Sequence, residues 1–305
     1  MISAKLKKDI TALIKGRILW NEPMKKHTSI RIGGPAEVLI IPQDESELRR
    51  ILLFADKALI PVTIMGNGTK LLVGDDGIPG IIVKITEGFD TVRISGDQVW
   101  AEAGCSLPRL SKLVAEEGLS GLEFSIGIPG TVGAAIIMNA GAHGHEIGDV
   151  VTSVNVIRLN GEILKISTKE LKFGYRESIL QTSTSIVLSV ELSLVSGDSL
   201  EIKDTMTEYL RWRRENQPQD LPNAGSIFKN PPGLVAGKLI DEAGLKGMII
   251  GGAKISEKRA NFFQNMGNAT ASDILKLMKL SQEKVFDKYG VELKPEIRVI
   301  GIHHA

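Results

Sequence analysis

Cysteine is nearly absent from this chain of 305 residues, where Cys105 stands alone. A single thiol forms no internal disulfide, so the fold is not a stapled one, and such usage fits a reducing compartment. An excess of either charge is also missing. Lys and Arg number 37 against 36 Asp and Glu, a formal net charge of +1. Nothing there points to nucleic acid or to an anionic membrane surface. No run reaches the ~20 apolar residues of a membrane span. The N-terminus, with Lys5, Lys7, Lys8 and Asp9, lacks the apolar stretch of a signal peptide. Repeats and low-complexity linkers are absent as well. The expectation is a cytoplasmic protein, with no nucleic-acid or membrane partner, long enough for two or three lobes with real cores.

The apolar spacing sets out those lobes. Residues 3–19 read as one amphipathic helix with Leu6, Ile10, Leu13 and Ile14 on a face. Val38–Ile41 is a short strand. Asp44 caps a helix with Leu48, Ile51, Leu52 and Ala55 inward. Val62–Met65, Leu71–Val73 and Ile81–Ile85 are further strands, so this first lobe is α/β. From about Gly88 a second lobe begins. Gly96-Asp97 and Asn160-Gly161 are hairpin turns between apolar runs. Ser106 caps a helix that Gly118 stops, with Leu110, Leu113 and Val114 inside. Ile186–Leu194 closes the lobe as an alternating strand. A basic helix of about 200–216 opens the third lobe, broken by Pro218 and Pro222. A helix of about 235–243 follows. Thr270 then starts a long helix with Ile274, Leu275, Met278, Val285, Phe286 and Tyr289 spaced for burial, ended by Gly290. Residues 297–302 form a last strand, and His303 and His304 a solvated tail. Without linkers, the lobes are expected to pack around a shared cleft.

The run from Gly121 to Gly144 dominates the chain. Its glycines, Gly121, Gly127, Gly130, Gly133, Gly141 and Gly144, stand among small and apolar residues. Such a run serves either tight backbone packing or close approach of N–H groups to an anion. It is neither the dinucleotide G-x-G-x-x-G nor a P-loop. Gly66-Asn67-Gly68-Thr69, directly after a buried strand, is an ordinary turn or a second phosphate loop. Arg176, in Gly174-Tyr175-Arg176-Glu177-Ser178, reads as a surface ion-pair residue or as a grip for a carboxylate. Ser226, in Asn223-Ala224-Gly225-Ser226-Ile227-Phe228-Lys229-Asn230-Pro231, reads as a turn or cap residue. No Gly-x-Ser-x-Gly elbow makes it a hydrolase nucleophile. Glu296, after Pro295 at the entrance to a strand, reads as a solvated edge carboxylate. His143, His145 and Glu146 do not read as a metal site, because the glycines around them give no rigid support. Arg213 and Arg214 read as a solvated helix face.

Ile128-Pro129-Gly130-Thr131-Val132-Gly133-Ala134 and Met138-Asn139-Ala140-Gly141-Ala142 resemble the flavin pyrophosphate loop of the UDP-N-acetylenolpyruvoylglucosamine reductase family. Ala134 stands where a glycine is common and His143 where an aromatic is common. Thr28–Gly34 resembles the segment that opens the family's flavin domain. The loop at Gly66 resembles its Gly-x-Gly-Ser-Asn, with Lys70 in place of the asparagine, which would lose an amide contact or offer a charge to phosphate instead. The Arg176, Ser226 and Glu296 strings match the family's catalytic motifs, in family order over nearly the whole chain. No insertion supplies an extra tyrosine-bearing loop, so the shorter class is implied.

The resemblance implies an α+β protein. Residues 1–196, split near 88, would form a vanillyl-alcohol-oxidase-type FAD-binding domain of two α/β lobes, and residues 197–305 an α+β substrate-binding domain. FAD would be held non-covalently by Gly66, Asn67, Gly68, Thr69, Gly127, Ile128, Pro129, Gly130, Thr131, Gly133, Asn139 and Gly141. NADPH would be the co-substrate and a UDP-sugar enol ether the substrate, contacted by Tyr175, Lys229, Asn230, Arg213 and Arg298. Arg176, Ser226 and Glu296 would be catalytic, with no metal, in a monomer. The residues alone leave two other readings open: an FAD-dependent alcohol or sugar oxidase of the same fold, and a non-catalytic nucleotide-binding module.

Overall fold

A buried carboxylate decides where the first helix stops. In the computed structural model, which describes residues 2–301, Ser3 caps the helix Ala4–Leu13, its hydroxyl accepting the Leu6 N–H at 3.3 Å. The helix does not run to residue 19 as its apolar spacing predicts: Arg17–Pro23 is a strand. Glu47, only 1% exposed, supplies the reason. Its carboxylate accepts the backbone N–H groups of Lys15 at 2.6 Å, Gly16 at 3.2 Å and Gln43 at 2.9 Å. Donors that would have continued the helix are captured from outside it. A Cβ on Gly16 would lie 2.2 Å from the Ile41 carbonyl oxygen, so this approach needs glycine.

The described chain forms two compact units. One comprises the residues up to Trp20, with Val38–Asn67 and Gly80–Arg213; the other comprises Asn21–Glu37, Gly68–Pro79 and the residues from Arg214 onward. A four-stranded sheet of the first unit runs in the order Arg17–Pro23, Pro35–Ile41, Ile78–Lys84, Val62–Met65. Its last pair is parallel, with Val62 opposite Ile81. Asp44 caps the helix Glu45–Lys57 as expected, and Leu48, Ile51, Leu52 and Ala55 share one core with Val38, Ile40, Ile81 and Val83. A five-stranded antiparallel sheet follows, ordered Ile163–Ser167, Val151–Ile157, Ile186–Ser193, Gln98–Glu102, Val92–Ser95. Both expected hairpins are in it. Gly161 takes φ +79°, the conformation its turn demands. Ser106 stands at the N-cap of the helix Leu107–Glu116, yet its side chain makes no capping bond, contrary to expectation. Its backbone is instead bridged antiparallel to Thr131.

In the second unit, Asn223–Ser226, Phe262–Asn265, Ala253–Ile255 and Ile249–Ile250 make an antiparallel sheet in that order. Leu71–Val73 pairs in parallel with Arg298–Ile300. Ile302, His303 and His304 lie outside the described residues. Residues of the helices Ala236–Glu242 and Ala271–Tyr289 share a core with Phe228 and Phe263. Phe286, expected inside, is 58% exposed. Its neighbour Val285 takes the inward position, and the next residue points about 100° away. Among the described residues no helix is long and apolar enough to cross a membrane.

Two expected outcomes follow from these carboxylates. Glu47→Ala strands three backbone donors and should lower unfolding stability by about 2–4 kcal/mol in urea titration; a change under about 0.5 kcal/mol would refute its role. Asp273 closes a capping box with Thr270 and accepts the N–H groups of Thr270 and Gly252, both at 3.1 Å. The Thr270 N–H, and with it that of Gly252, holds this carboxyl below the usual aspartate value, against a partial burial that would raise it. A depressed folded pKa gives stability that is complete above the unfolded pKa and lost as pH falls through the folded one. Asp273→Asn should therefore cost about 1 kcal/mol near pH 7, and its gap from the parent protein should narrow below about pH 4. A gap of equal size near pH 3 and near pH 7 would contradict this.

Candidate active site

The two glycine loops meet in the first unit. A Cβ on Gly66 would lie 2.5 Å from Thr131 Oγ1, so these segments touch only because one of them has no side chain. The run between them is not uniform. Gly130 takes φ +136°, and the residues after it form a short helix, Val132–Met138, whose N-cap Thr131 accepts the Ala134 N–H. Gly133 and Gly141 are packing glycines. Their Cβ atoms would lie 2.9 Å from Ala103 Cβ and 2.4 Å from the His145 carbonyl oxygen. The Gly133 N–H is already bonded to the Ala103 carbonyl at 2.8 Å, and the Ile128 N–H to that of Ser125 at 3.0 Å. Pro129 is exposed. Among the described residues, the N–H groups of Asn67, Gly130 and Thr131 donate to no protein acceptor. Thr131 is 2% exposed, and a buried backbone donor calls for a partner. This stretch therefore fits a diphosphate: it has donors, a place a Cβ would fill, and no acidic side chain within it.

Asn139 ties the glycine run to the Arg176 motif. It is fully buried and takes the left-handed conformation at φ +42°. Its Oδ1 accepts the Gly148 N–H at 3.0 Å, and its Nδ2 donates to the Gly174 carbonyl at 2.9 Å. Both polar ends of the side chain are thus bonded inside the protein, and Asn139 serves as a brace. Gly174 and Glu177 exchange backbone bonds of 3.0 and 2.9 Å, which makes Tyr175 and Arg176 the tip of a tight turn. Arg176 has φ +57°, and its Nη2 donates to the Gly141 carbonyl at 2.5 Å. Ser178 Oγ and Gln181 Nε2 both donate to the Ile137 carbonyl, strapping the turn to the short helix. Tyr175 is exposed, with its ring 5.2 Å from the Arg176 guanidinium.

Arg213 corrects the expectation of a solvated face. The Arg213 Cδ lies 3.0 Å from where a Gly127 Cβ would be, and the side chain is half-buried. Burial lowers its pKa from the ordinary arginine value. Beside it the His143 ring stacks on Tyr209, 3.8 Å between centroids and 7° between planes, with Trp212 edge-on at 5.1 Å. His143, His145 and Glu146 do not assemble into a group that could hold a metal; no such group occurs among the described residues.

The second unit joins the other two motifs. The Glu296 N–H donates to the Ile227 carbonyl at 2.7 Å and the Lys229 N–H to the Lys294 carbonyl at 2.9 Å. The segment after the strand Asn223–Ser226 is thereby bonded to the segment that carries Glu296. Lys70, read from sequence as a charge for phosphate, reaches both: its Nζ lies 2.8 Å from Glu296 Oε1 and donates to the Ser226 carbonyl at 2.7 Å. Nothing in the sequence announces that pair, since Lys70 and Glu296 lie near opposite ends of the chain. Gly68 takes φ +65°, and its carbonyl accepts the Ser29 N–H at 3.1 Å; Thr69 follows, half-buried. The Asn230 side chain accepts the Ala236 N–H at 3.0 Å. Arg298 is exposed, while its N–H donates to the Lys70 carbonyl at 2.8 Å.

The chain is similar to known proteins over most of its length. Residues 36–167 match a family model described as an FAD binding domain, and residues 217–300 one described as the C-terminal domain of UDP-N-acetylenolpyruvoylglucosamine reductase. The UDP-N-acetylenolpyruvoylglucosamine reductase of Caldanaerobacter subterraneus subsp. tengcongensis is 50% identical over 95% of this chain and 95% of its own. That of Clostridioides difficile is 41% identical over 96% of each. The crystal structure of UDP-N-acetylenolpyruvylglucosamine reductase from Thermus caldophilus superposes with a TM-score of 0.81 at 38% identity, covering 94% of this chain and 99% of that one. A Physcomitrella patens protein named BBE-like 1 shares the fold, at TM-score 0.58 and 12% identity over 92% of this chain and 88% of that one.

Removing the brace should loosen the arginine turn. Asn139→Ala loses two hydrogen bonds and strains a left-handed position, a loss of about 2–3 kcal/mol. Tryptic cleavage after Arg176 should become faster relative to cleavage elsewhere. Cleavage at Arg176 that keeps its parental rank would contradict the bracing role.

Proposed function

The chain belongs to the UDP-N-acetylenolpyruvoylglucosamine reductase family, and we propose that it reduces the enolpyruvyl ether of UDP-N-acetylglucosamine to UDP-N-acetylmuramate with NADPH and FAD, in peptidoglycan precursor synthesis. The observation that supports this reading most directly is the Glu296 N–H to Ile227 carbonyl bond, which holds Glu296 one residue from Ser226 across two bonded segments. When bound, FAD supplies the hydride relay that lets NADPH and the sugar nucleotide use one site in turn. The backbone groups of Gly66–Thr69 and Gly127–Gly141 hold its diphosphate non-covalently.

The residues divide the remaining work by their chemistry. Arg176 offers a planar fork that grips the substrate carboxylate with parallel hydrogen bonds. With Glu296 it orients that carboxylate as negative charge develops on it. Ser226 Oγ gives its proton to C2. A serine hydroxyl is a feeble acid and can do this only toward a strongly basic, enediolate-like species, with Lys229 stabilising the alkoxide left behind. Tyr175, Asn230, Arg298 and Arg213 contact the UDP-sugar, Arg213 also being suited to an NADPH phosphate. Residues 1–196 serve the flavin and residues 197–305 the substrate. The enzyme acts in the cytoplasm as a monomer and contributes to cell shape and division through wall synthesis.

Anaerobic stopped-flow absorbance tests the assignment on the holoenzyme. Ser226→Ala should be reduced by NADPH at the parental rate but reoxidised by the enolpyruvyl sugar nucleotide about 10²–10⁴-fold more slowly. If both half-reactions slowed equally, the proton-donor role would fail.

A further inference from the structure

Glu296 presents a difficulty of charge. A bare carboxylate beside a substrate carboxylate repels it, and more so as reduction pushes electron density that way. Lys70 resolves the difficulty. Its ammonium lies 2.8 Å from Glu296 Oε1, with side-chain exposures of 30% and 10%, so water screens the pair only partly. The chain is built to keep it there. The Lys70 carbonyl accepts the Arg298 N–H at 2.8 Å, and the strands Leu71–Val73 and Arg298–Ile300 pair in register from Leu71 and Arg298 onward. One step back along that register, Lys70 stands opposite Ile297, the residue next to Glu296. On the other side, Gly225 takes φ +70°, and a Cβ there would lie 3.2 Å from Lys70 Nζ. The glycine makes room for the ammonium, which then donates to the Ser226 carbonyl at 2.7 Å.

We propose that Lys70 is a positioning and charge-balancing residue: it neutralises Glu296, fixes the orientation of its carboxylate and pins the Ser226 turn to it, so that an anionic substrate carboxylate can be received beside Glu296. The inference rests on the reading of Glu296 as a group that faces the substrate. It makes Lys70 part of the oxidative half of the cycle, in which the sugar nucleotide is reduced, and gives it no part in the step with NADPH.

A double-mutant cycle on the FAD-loaded enzyme tests it, with Lys70→Met, Glu296→Gln and the pair followed by stopped-flow. Lys70→Met should be reduced by NADPH within about twofold of the parent and reoxidised by the sugar nucleotide about 10–100-fold more slowly. Lys70→Arg, which keeps the charge, should recover most of that loss. The double variant should be no slower than Glu296→Gln by more than about twofold, because Lys70 acts through a carboxylate that is gone. In FAD-free protein, the urea midpoint of the double variant should likewise not fall below that of the weaker single. If Lys70→Met yields no folded protein, Lys70→Gln is read the same way. Full multiplication of the two losses, or a Lys70→Met enzyme that reoxidises at the parental rate, overturns the proposal. A Glu296→Gln enzyme that itself reoxidises at the parental rate overturns instead the reading of Glu296 on which it rests.

Discussion

Gly66 and Thr131 can touch only because no side chain stands between them, and the glycine loops of the first unit hang on that contact. A Cβ at Gly66 would overlap the Thr131 hydroxyl. With the hydrogen there instead, two loops bring backbone donors to one place, and the buried Thr131 N–H faces no protein acceptor among the described residues. The chain passes Thr131, makes about two turns as the helix Val132–Met138, and reaches Asn139 in a left-handed conformation. From there the Asn139 amide holds the turn that carries Arg176. The cradle and the arginine are therefore one mechanical piece, and a shift in the loop would be felt at the guanidinium.

In the second unit a similar economy appears with side chains. Lys70 holds Glu296 and the Ser226 carbonyl at once, and Gly225 gives up its side chain to let it. In each unit a glycine yields space and a polar side chain, Asn139 or Lys70, closes the link. Charge is handled differently in the two. The Arg176 guanidinium donates to the Gly141 carbonyl, a neutral partner. Glu296 is matched by an opposite charge.

Much of this was legible in the chain itself. Periodicity and caps located the helices at Glu45–Lys57 and Ala271–Tyr289 and both hairpins, because those elements are fixed by local rules. The α+β fold of vanillyl-alcohol-oxidase type and the family were legible in four motifs. What failed to show depended on distant partners. The strand Arg17–Pro23 looked helical because its apolar spacing continues the helix, and only Glu47, packed from another segment, breaks it. Phe286 fits the inward stripe by type, but Val285 occupies it. Lys70 by its neighbours in sequence either lost an amide contact or offered a charge to phosphate, and its ion-pair partner Glu296 lies far along the chain, where no local rule points. Arg213 looked solvated because its helix is basic, and the space that buries it is made by the absence of a side chain at Gly127.

Amide hydrogen exchange with and without FAD tests the central claim most directly, since it reads the backbone donors themselves. Binding of FAD should slow exchange at Asn67, Gly130 and Thr131 and leave the distant turn at Asn160-Gly161 unchanged. Tight FAD binding with no protection at those three amides would contradict the account.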